Sequence, residues 1–388
     1  MATSTSVVAI NPTQLTQLQQ TVVAGLPATA TPANANDVPI GVSAVTLVAL
    51  TDAGAGLVAV SSVGMRSFEP SIPHFVAIYG PDASGWHELA HMSLNTDDVD
   101  PDYIDEQGFR QVKVSADKVW LEVQSGVGAH GGCYQLLSFA NNTLKPEVSS
   151  CHSSPGAGFL QDIDGDGIPE VLLDTTENYI FCYACGVRRF DLIAYQWDGS
   201  TFKARDLEPL SAQAPAELRT AVERAIAQAQ AGLWKDASAT IDSIQMPAQK
   251  DATLAWDSGL IRQIANGRKQ AINDQAYPLL DTLFYGDYAA ALDILRAVTP
   301  EQRFDPAGPL IVGTVAEGWQ SELTQAITSS TELALDYQPD MAAAHFLRGW
   351  ALQIASPGSP DALAEIARAA ELEPQEQLYT ESLSYLKP

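Results

Sequence analysis

The sequence predicts a multidomain fold in which an antiparallel β domain, either propeller-like or a sandwich, is followed by an all-α helical-repeat domain. Between Val38 and about Leu207, short apolar runs with a period of two residues alternate with Gly, Asn and Asp turn signals. Beyond Pro209, Ala, Gln, Leu and Glu dominate, and the apolar residues take helical spacing. We therefore divide the 388 residues into a flexible N-terminal arm (1–38), an antiparallel β domain (39–207) and an all-α domain (208–388).

The arm is rich in Ala, Thr, Pro, Asn and Gln, and Pro27, Pro32 and Pro39 interrupt any long element. Apolar residues between Pro12 and Val23 have the spacing of one short helix. We interpret the segment as a flexible arm or as a stalk left by a removed leader. An arm that docks on a neighbouring subunit, and so allows self-assembly, is the alternative.

In the β domain, runs such as Phe75–Tyr79, Val119–Val123 and Tyr134–Phe139 are separated by turns. Their number and spacing predict about ten antiparallel strands. The turn Gly80–Gly85 lies between two such runs, so this stretch is typical of a hairpin.

One acidic loop carries the sharpest motif, with carboxylates at the alternate positions Asp162, Asp164 and Asp166. Calcium takes six to eight oxygen ligands, drawn from carboxylates, backbone carbonyls and water. The backbone carbonyl of Ile168 and the carboxylate of Glu170 would extend the ligand set. Because these acidic groups repel one another without a cation, we predict a Ca²⁺ site whose loop is loose without metal and tight with it. An Asp/Gly-rich turn without metal is the alternative.

The pattern Asp-x-Asp-Gly-Asp-Gly-x-Pro-Glu differs from an EF-hand, because Leu173 stands where an EF-hand needs its bidentate acid. It resembles the loop of FG-GAP or VCBS-type repeats, known from β-propeller blades and integrin heads. The resemblance covers about twelve residues in one copy. It implies a loop that joins two strands and a structural ion. Because a complete propeller would carry several copies, we expect a partial or divergent β unit.

The helical domain contains two internal similarities. The segments 231–237 and 285–291 share a Gly-x-aromatic pattern, Gly232 with Trp234 and Gly286 with Tyr288, before an Ala-rich helix. Residues 341–374 contain two predicted helices, and the later half resembles a tetratricopeptide repeat that ends at Pro374. This resemblance implies a helical platform with a groove for a protein or peptide partner.

Charge and hydropathy exclude several function classes. With 47 acidic and 21 basic residues, the net charge is −26, so phosphate backbones and anionic lipid heads repel the chain. We expect no nucleic-acid partner. No apolar run reaches the roughly 18 residues of a membrane span, so we also expect no membrane insertion.

The four cysteines, Cys133, Cys151, Cys182 and Cys185, fall inside the predicted β domain. They suit two disulfides in an oxidising compartment, or four buried thiols. The first basic residue is Arg66, so the start lacks the charged region of a signal peptide. Either the protein is cytosolic, or a leader was removed and Met1 was added for expression. Given the calcium motif, we favour an extracellular, periplasmic or cell-surface location.

The segment His87-Glu88-Leu89-Ala90-His91 matches a zinc metallohydrolase motif, which requires both histidines on one helical turn. The hairpin pattern here predicts a strand instead, on which residues four apart are separated by about 13 Å. We therefore interpret the histidines as structural or surface residues. A zinc metallohydrolase with Glu88 as general base stays the alternative.

Taken together, these patterns favour a non-enzymatic, calcium-binding protein-interaction scaffold. No Ser-His-Asp or Cys-His arrangement can be nominated from spacing. A further alternative is a subunit of an extracellular assembly or filament, in which residues 1–38 reach into a neighbour.

Overall fold

The computed structural model describes residues 13, 16–18, 20–21, 41–47, 57–63, 74–82, 85–96, 99–152, 157–244 and 251–387. Two compact units form: one comprises Met1–Thr175 and Ile193–Arg205, the other Thr176–Leu192 and Asp206–Pro388. An antiparallel β region followed by a helical region confirms the coarse fold prediction. In the predicted arm, residues 13, 16–18 and 20–21 are helical and Leu18 is buried. The rest of the arm lies outside the described residues, so its flexibility and docking stay predictions.

The β unit contains three four-stranded sheets among its described residues, and in each sheet strands that follow one another in sequence are neighbours. The first sheet has the order β1-β2-β3-β4, the second β5-β6-β7-β8 and the third β12-β11-β10-β9. The strands are β1 Gly41–Leu47, β2 Leu57–Val63, β3 Phe75–Asp82, β4 Gly85–Ser93, β5 Tyr103–Val112, β6 Val119–Val127, β7 Gly131–Ala140, β8 Thr143–His152, β9 Gly158–Gln161, β10 Glu170–Asp174, β11 Leu192–Trp197 and β12 Phe202–Ala204.

The core of the β unit is built around β6 and β7, whose residues are buried on both faces of the sheet. Trp120 packs edge-to-face on Trp197, with ring centroids 5.1 Å apart, so the second and third sheets share one apolar cluster. Cys133 and Cys151 stand opposite each other on β7 and β8 and form a disulfide.

The helical unit contains ten α-helices in the described residues from 206 onwards. They are α1 Ala216–Gln230, α2 Trp234–Ser243, α3 Ala252–Asp274, α4 Pro278–Tyr285, α5 Tyr288–Arg296, α6 Pro300–Phe304, α7 Gln320–Tyr337, α8 Ala342–Ala355, α9 Pro360–Leu372 and α10 Gln377–Leu386. Proline opens α4, α6 and α9, where its missing N–H leaves no helical hydrogen bond unmade. None of the helices in this part of the chain has the length and hydropathy of a membrane-spanning segment.

The segment Thr176–Leu192 belongs to the helical unit, although it lies inside the range predicted for the β domain. Phe181 and Val187 are buried in the same apolar cluster as the helices. Cys182 and Cys185 form a disulfide across a 3₁₀ turn in this segment. The disulfide belongs to the helical unit because the apolar side chains of its segment are buried against helices. Local spacing in the sequence does not reveal this burial.

The two Gly-x-aromatic segments form similar turns that lie side by side. Gly232 (φ +74°) ends the turn before α2, and Gly286 (φ +80°) ends the turn before α5. A Cβ at Gly286 would lie 2.7 Å from the Cα of Leu233, so the second turn packs tightly on the first. Glycine is required there both for its backbone angle and for the close approach.

Candidate metal centre

The acidic loop joins β9 to β10 as the turn of an antiparallel hairpin in which Gln161 pairs with Glu170. Strand β10 is buried at Val171, Leu172 and Leu173, which fixes one end of the loop in the core. The acidic residues therefore lie at the end of this hairpin, in a loop that joins two strands, as the resemblance implied.

Backbone amides of the loop point at the carboxylates. Gly165 and Gly167 have φ values of +72° and +91°, which glycine adopts without strain. Their N–H groups donate to the two carboxylate oxygens of Asp162, at 2.7 Å and 3.0 Å. The N–H of Asp166 donates to Asp164 at 3.0 Å, and that of Ile168 donates to Asp166 at 2.7 Å. These bonds hold three carboxylates in one orientation.

The three aspartates converge. One carboxylate oxygen from each of Asp162, Asp164 and Asp166 lies within 4.8 Å of the others. Asp164 is partly buried, while Asp162 and Asp166 are exposed. Burial raises the pKa of Asp164, and the charges of Asp166 and Asp162 raise it further.

Glu170 stands behind this cluster as the first residue of β10, with 1% of its surface exposed. The N–H of Ile163 donates to its Oε2 at 2.9 Å. Burial, together with the charges of the three aspartates, raises the pKa of Glu170 to about 7. Glu170 is not part of the converging set of three, and its predicted role as a ligand stays a prediction.

Ile168, whose carbonyl was the remaining predicted ligand, is partly buried and packs its side chain on the apolar cluster of Trp120 and Val171. The side chain thus ties the loop to the core. Ligation by its carbonyl stays a prediction.

Gln196 on β11 and Arg205 after β12 are loop neighbours that the sequence analysis missed. The side-chain amide of Gln196 donates to Oδ2 of Asp164 at 3.0 Å, and Arg205 donates to Oε1 of Gln196 at 2.8 Å. The charge of Arg205 lowers the pKa of Asp164, against the larger effect of burial. These partners come from another hairpin, so no local motif signals them.

The donor set fits a hard divalent cation. Every convergent side-chain ligand is an oxygen, and carboxylate oxygens are the ligands that Ca²⁺ and Mg²⁺ take in proteins. A bound cation would offset the mutual repulsion of the aspartates and the burial of Glu170. Asp162, Asp164 and Asp166 would hold the ion directly.

The histidine motif lies on β4, where its residues are not on a helical turn. The hydroxyl of Tyr79 donates to Glu88 at 3.1 Å, Nδ1 of His91 lies 3.4 Å from the same carboxylate, and the His91 ring stacks on Phe75. Among the described residues, His87, Glu88 and His91 do not form a group of converging ligand atoms. The zinc alternative thus stays an untested prediction.

No protein-family profile matches the chain, and no curated protein has a significantly similar sequence.

Proposed function

We propose that residues 162–170 bind one Ca²⁺ ion that stiffens the β unit of a non-enzymatic interaction scaffold. The observation that carries this proposal is the convergence of three aspartate carboxylates within 4.8 Å in a hairpin loop. Glu170, and the backbone carbonyl of Ile168, complete the proposed ligand set.

Calcium is favoured over zinc by the ligand chemistry. Zinc prefers nitrogen and sulfur ligands in tetrahedral sites, whereas the loop offers oxygens alone among its convergent side chains. Calcium also tolerates variable ligand number and geometry, which suits a loop whose members are partly exposed.

The resemblance to FG-GAP or VCBS-type repeats is part of this proposal. Three four-stranded meanders, each with strands in sequence order, are the arrangement expected of blades in a partial propeller. The motif occurs in the hairpin that opens the third meander. We infer a structural ion that fixes this hairpin.

The helical unit is proposed as the partner-binding platform. In its last repeat-like segment, a Cβ at Gly349 on α8 would lie 2.7 Å from Ile366 on α9, so these helices pack closely, as in a tetratricopeptide repeat. The proposed partner is a protein or peptide. The two disulfides support an oxidising, exported location.

The test is calcium-dependent thermal stability of the full chain. We expect excess calcium to stabilise the wild type by about 2.7 kcal/mol at a hundredfold excess over Kd. The Asp164→Ala, Asp166→Ala variant should lose this response. A matched variant, Asp117→Ala, Asp198→Ala, removes the same charge from the β unit outside the loop and should keep it.

Two results would overturn the proposal. Equal melting temperatures of the wild type in excess calcium and in chelator would show that the folded protein does not bind Ca²⁺. Stoichiometric zinc, found by elemental analysis and abolished by His91→Ala, would favour the metallohydrolase alternative.

A further inference from the structure

A cavity of about 390 Å³ lies in the helical unit, where the two Gly-x-aromatic turns meet. Trp234 and Tyr288, the aromatic residues of those turns, line it together with Phe284 and Leu333. This volume lies within the usual size range of small-ligand sites. Its walls are mainly apolar and aromatic.

Three charged side chains also line the cavity: Arg189, Asp191 and Arg268. The guanidinium of Arg268 lies 5.6 Å from the ring centroid of Trp234, and that of Arg189 lies 5.9 Å from the ring of Phe284. Two arginines and one aspartate leave one positive charge in excess at the cavity. That excess is unusual for a chain whose net charge is −26.

Arg268 is buried but incompletely paired. Its side chain is 8% exposed, and its Nη1 donates to the carbonyl of Phe284 at 3.0 Å. Its Nη2 lies 3.8 Å from Oδ2 of Asp191, beyond hydrogen-bond distance, and its buried Nε has no hydrogen-bond partner among the described residues. Buried arginines are normally paired and fully hydrogen-bonded, so the guanidinium of Arg268 has capacity for a further acceptor.

The pKa of Arg268 reflects the same burial and incomplete pairing. Burial, together with the neighbouring charge of Arg189 and against the opposing effect of Asp191, lowers the pKa of Arg268 to about 10. The group remains a cation at neutral pH. An anion beside both guanidinium groups would offset the cost of burying Arg268 and the repulsion between the two groups.

We propose that this cavity binds a monocarboxylate with an apolar or aromatic body. The carboxylate would face Arg189 and Arg268, because guanidinium groups match carboxylates in charge and planar geometry. The body would lie against Trp234, Phe284 and Leu333. One negative charge balances the excess positive charge of the cavity, which a dianion would overcompensate.

This carboxylate has two sources: a free small acid or the C-terminus of a peptide. Both present the same group to the arginines. The cavity belongs to the helical unit and the acidic loop to the β unit, so the proposal stands without calcium binding.

The test is calorimetric titration of the full chain in chelator, so that calcium has no part in the result. The probes are indole-3-acetate with its neutral amide, and the peptide acetyl-Gly-Gly-Phe with its C-terminal amide. We expect at least one acid to bind at least about tenfold more tightly than its amide, as expected for charge-assisted hydrogen bonds. If only indole-3-acetate binds, the ligand is a free small acid. If only the peptide acid binds, the ligand is the C-terminus of a peptide.

Two variants and a control locate the site. Arg189→Gln and Arg268→Lys should each weaken the acid at least about tenfold. Arg262→Gln, which changes an exposed arginine on the same helix as Arg268, should not weaken it. If Arg268→Lys does not fold, Arg189→Gln, at a less buried residue, carries the test.

Three results would overturn the proposal. Neither acid binding at millimolar concentration would show that the cavity has no such ligand. Equal affinities of acid and amide would show that the carboxylate is not recognised. Unchanged affinity in Arg189→Gln would place the acid elsewhere.

Discussion

The β unit and the helical unit each contain a buried charge with a full set of partners and another whose pairing is incomplete, and the two incompletely paired charges have opposite signs. In the β unit, Glu147 accepts hydrogen bonds from Ser138, Lys118 and Lys145. Glu170, whose side chain is also buried, faces three further carboxylates. The first glutamate is paired within the fold, whereas the second would gain a partner from the cation that we propose.

In the helical unit the same contrast involves arginine. Arg303 is 3% exposed and donates to the carbonyls of Leu295 and Val298 and to the hydroxyl of Ser382, at 2.8–3.0 Å. Arg268 makes one such bond, to Phe284, and has an unpartnered Nε. The comparison teaches that burial of charge alone does not mark a site, whereas incomplete pairing of a buried charge points to a ligand of the opposite sign.

The largest expected effect tests this contrast between the arginines. Arg303→Met leaves three hydrogen-bond acceptors without their donor, two of them buried, so we expect it to lower the free energy of unfolding by about 4 kcal/mol or more. Arg268→Met, which removes one such bond, should cost about 1–2 kcal/mol. Urea unfolding followed by circular dichroism at the helical signal measures both.

Arg262→Met is the control for this pair of variants, because Arg262 is exposed and pairs with Asp242 on the surface. We expect a loss below about 1 kcal/mol. Equal losses for Arg303→Met and Arg268→Met would show that the two arginines are paired alike, and would break the comparison.

The next largest expected effect is a pH dependence of stability that arises from a buried aspartate in the helical unit. Asp281 is 1% exposed, and burial raises its pKa to about 7. Because this pKa lies above that of the unfolded chain, the folded protein holds the extra proton between pH values of about 4 and 7. The free energy of unfolding therefore falls as the pH rises through this window.

Asp281→Asn should remove that dependence. Relative to the wild type, we expect the variant to gain on the order of 3 kcal/mol between pH 4 and pH 8. Denaturation at a series of pH values measures the difference, and calcium should not change it. Parallel stability curves for the two proteins would show that Asp281 does not titrate in this range.

How much the sequence could predict depends on how local each feature is. The change from a two-residue to a helical period is visible along the chain, and the predicted order of β and α regions is confirmed. Asp162, Asp164 and Asp166 fall within five residues, so their convergence also follows from local spacing. Repeat type and calcium binding stay predictions.

Features built from distant segments could not be predicted. Arg268, Asp191 and Trp234 come from three separate parts of the chain, and no spacing rule brings them to one cavity. The same holds for Gln196 beside Asp164. The segment around Cys182 has no local signal of which core its apolar neighbours enter, so its place in the helical unit was missed.

The two disulfides allow a further comparison between the units. Cys133–Cys151 closes a separation of 18 residues, and Cys182–Cys185 one of 3. From loop-closure entropy, replacing the first pair by alanine should cost about 3 kcal/mol and replacing the second about 2 kcal/mol. Denaturant unfolding of the two double variants measures the order, and a larger loss for the second pair would show that it constrains more than its own turn.

The smallest expected effect tests whether the acidic loop is ordered without the proposed Ca²⁺ ion. Gly167 in the loop and Gly232 in the helical unit both have positive φ, and a Cβ at either would meet no atom within 4 Å. Alanine should therefore cost about 1 kcal/mol through backbone strain alone, wherever the native conformation is held.

For Gly232→Ala we expect this loss both in calcium and in chelator, because α1 and α2 fix the turn. For Gly167→Ala we expect it in calcium only, because repulsion among the aspartates loosens the loop when no cation is present. Thermal unfolding of both variants under both conditions measures the four values. A full loss for Gly167→Ala in chelator would mean that the backbone hydrogen bonds to the three aspartates hold the loop without a cation. The β unit would then tolerate the incompletely paired Glu170 without a cation, as the helical unit tolerates the incompletely paired Arg268.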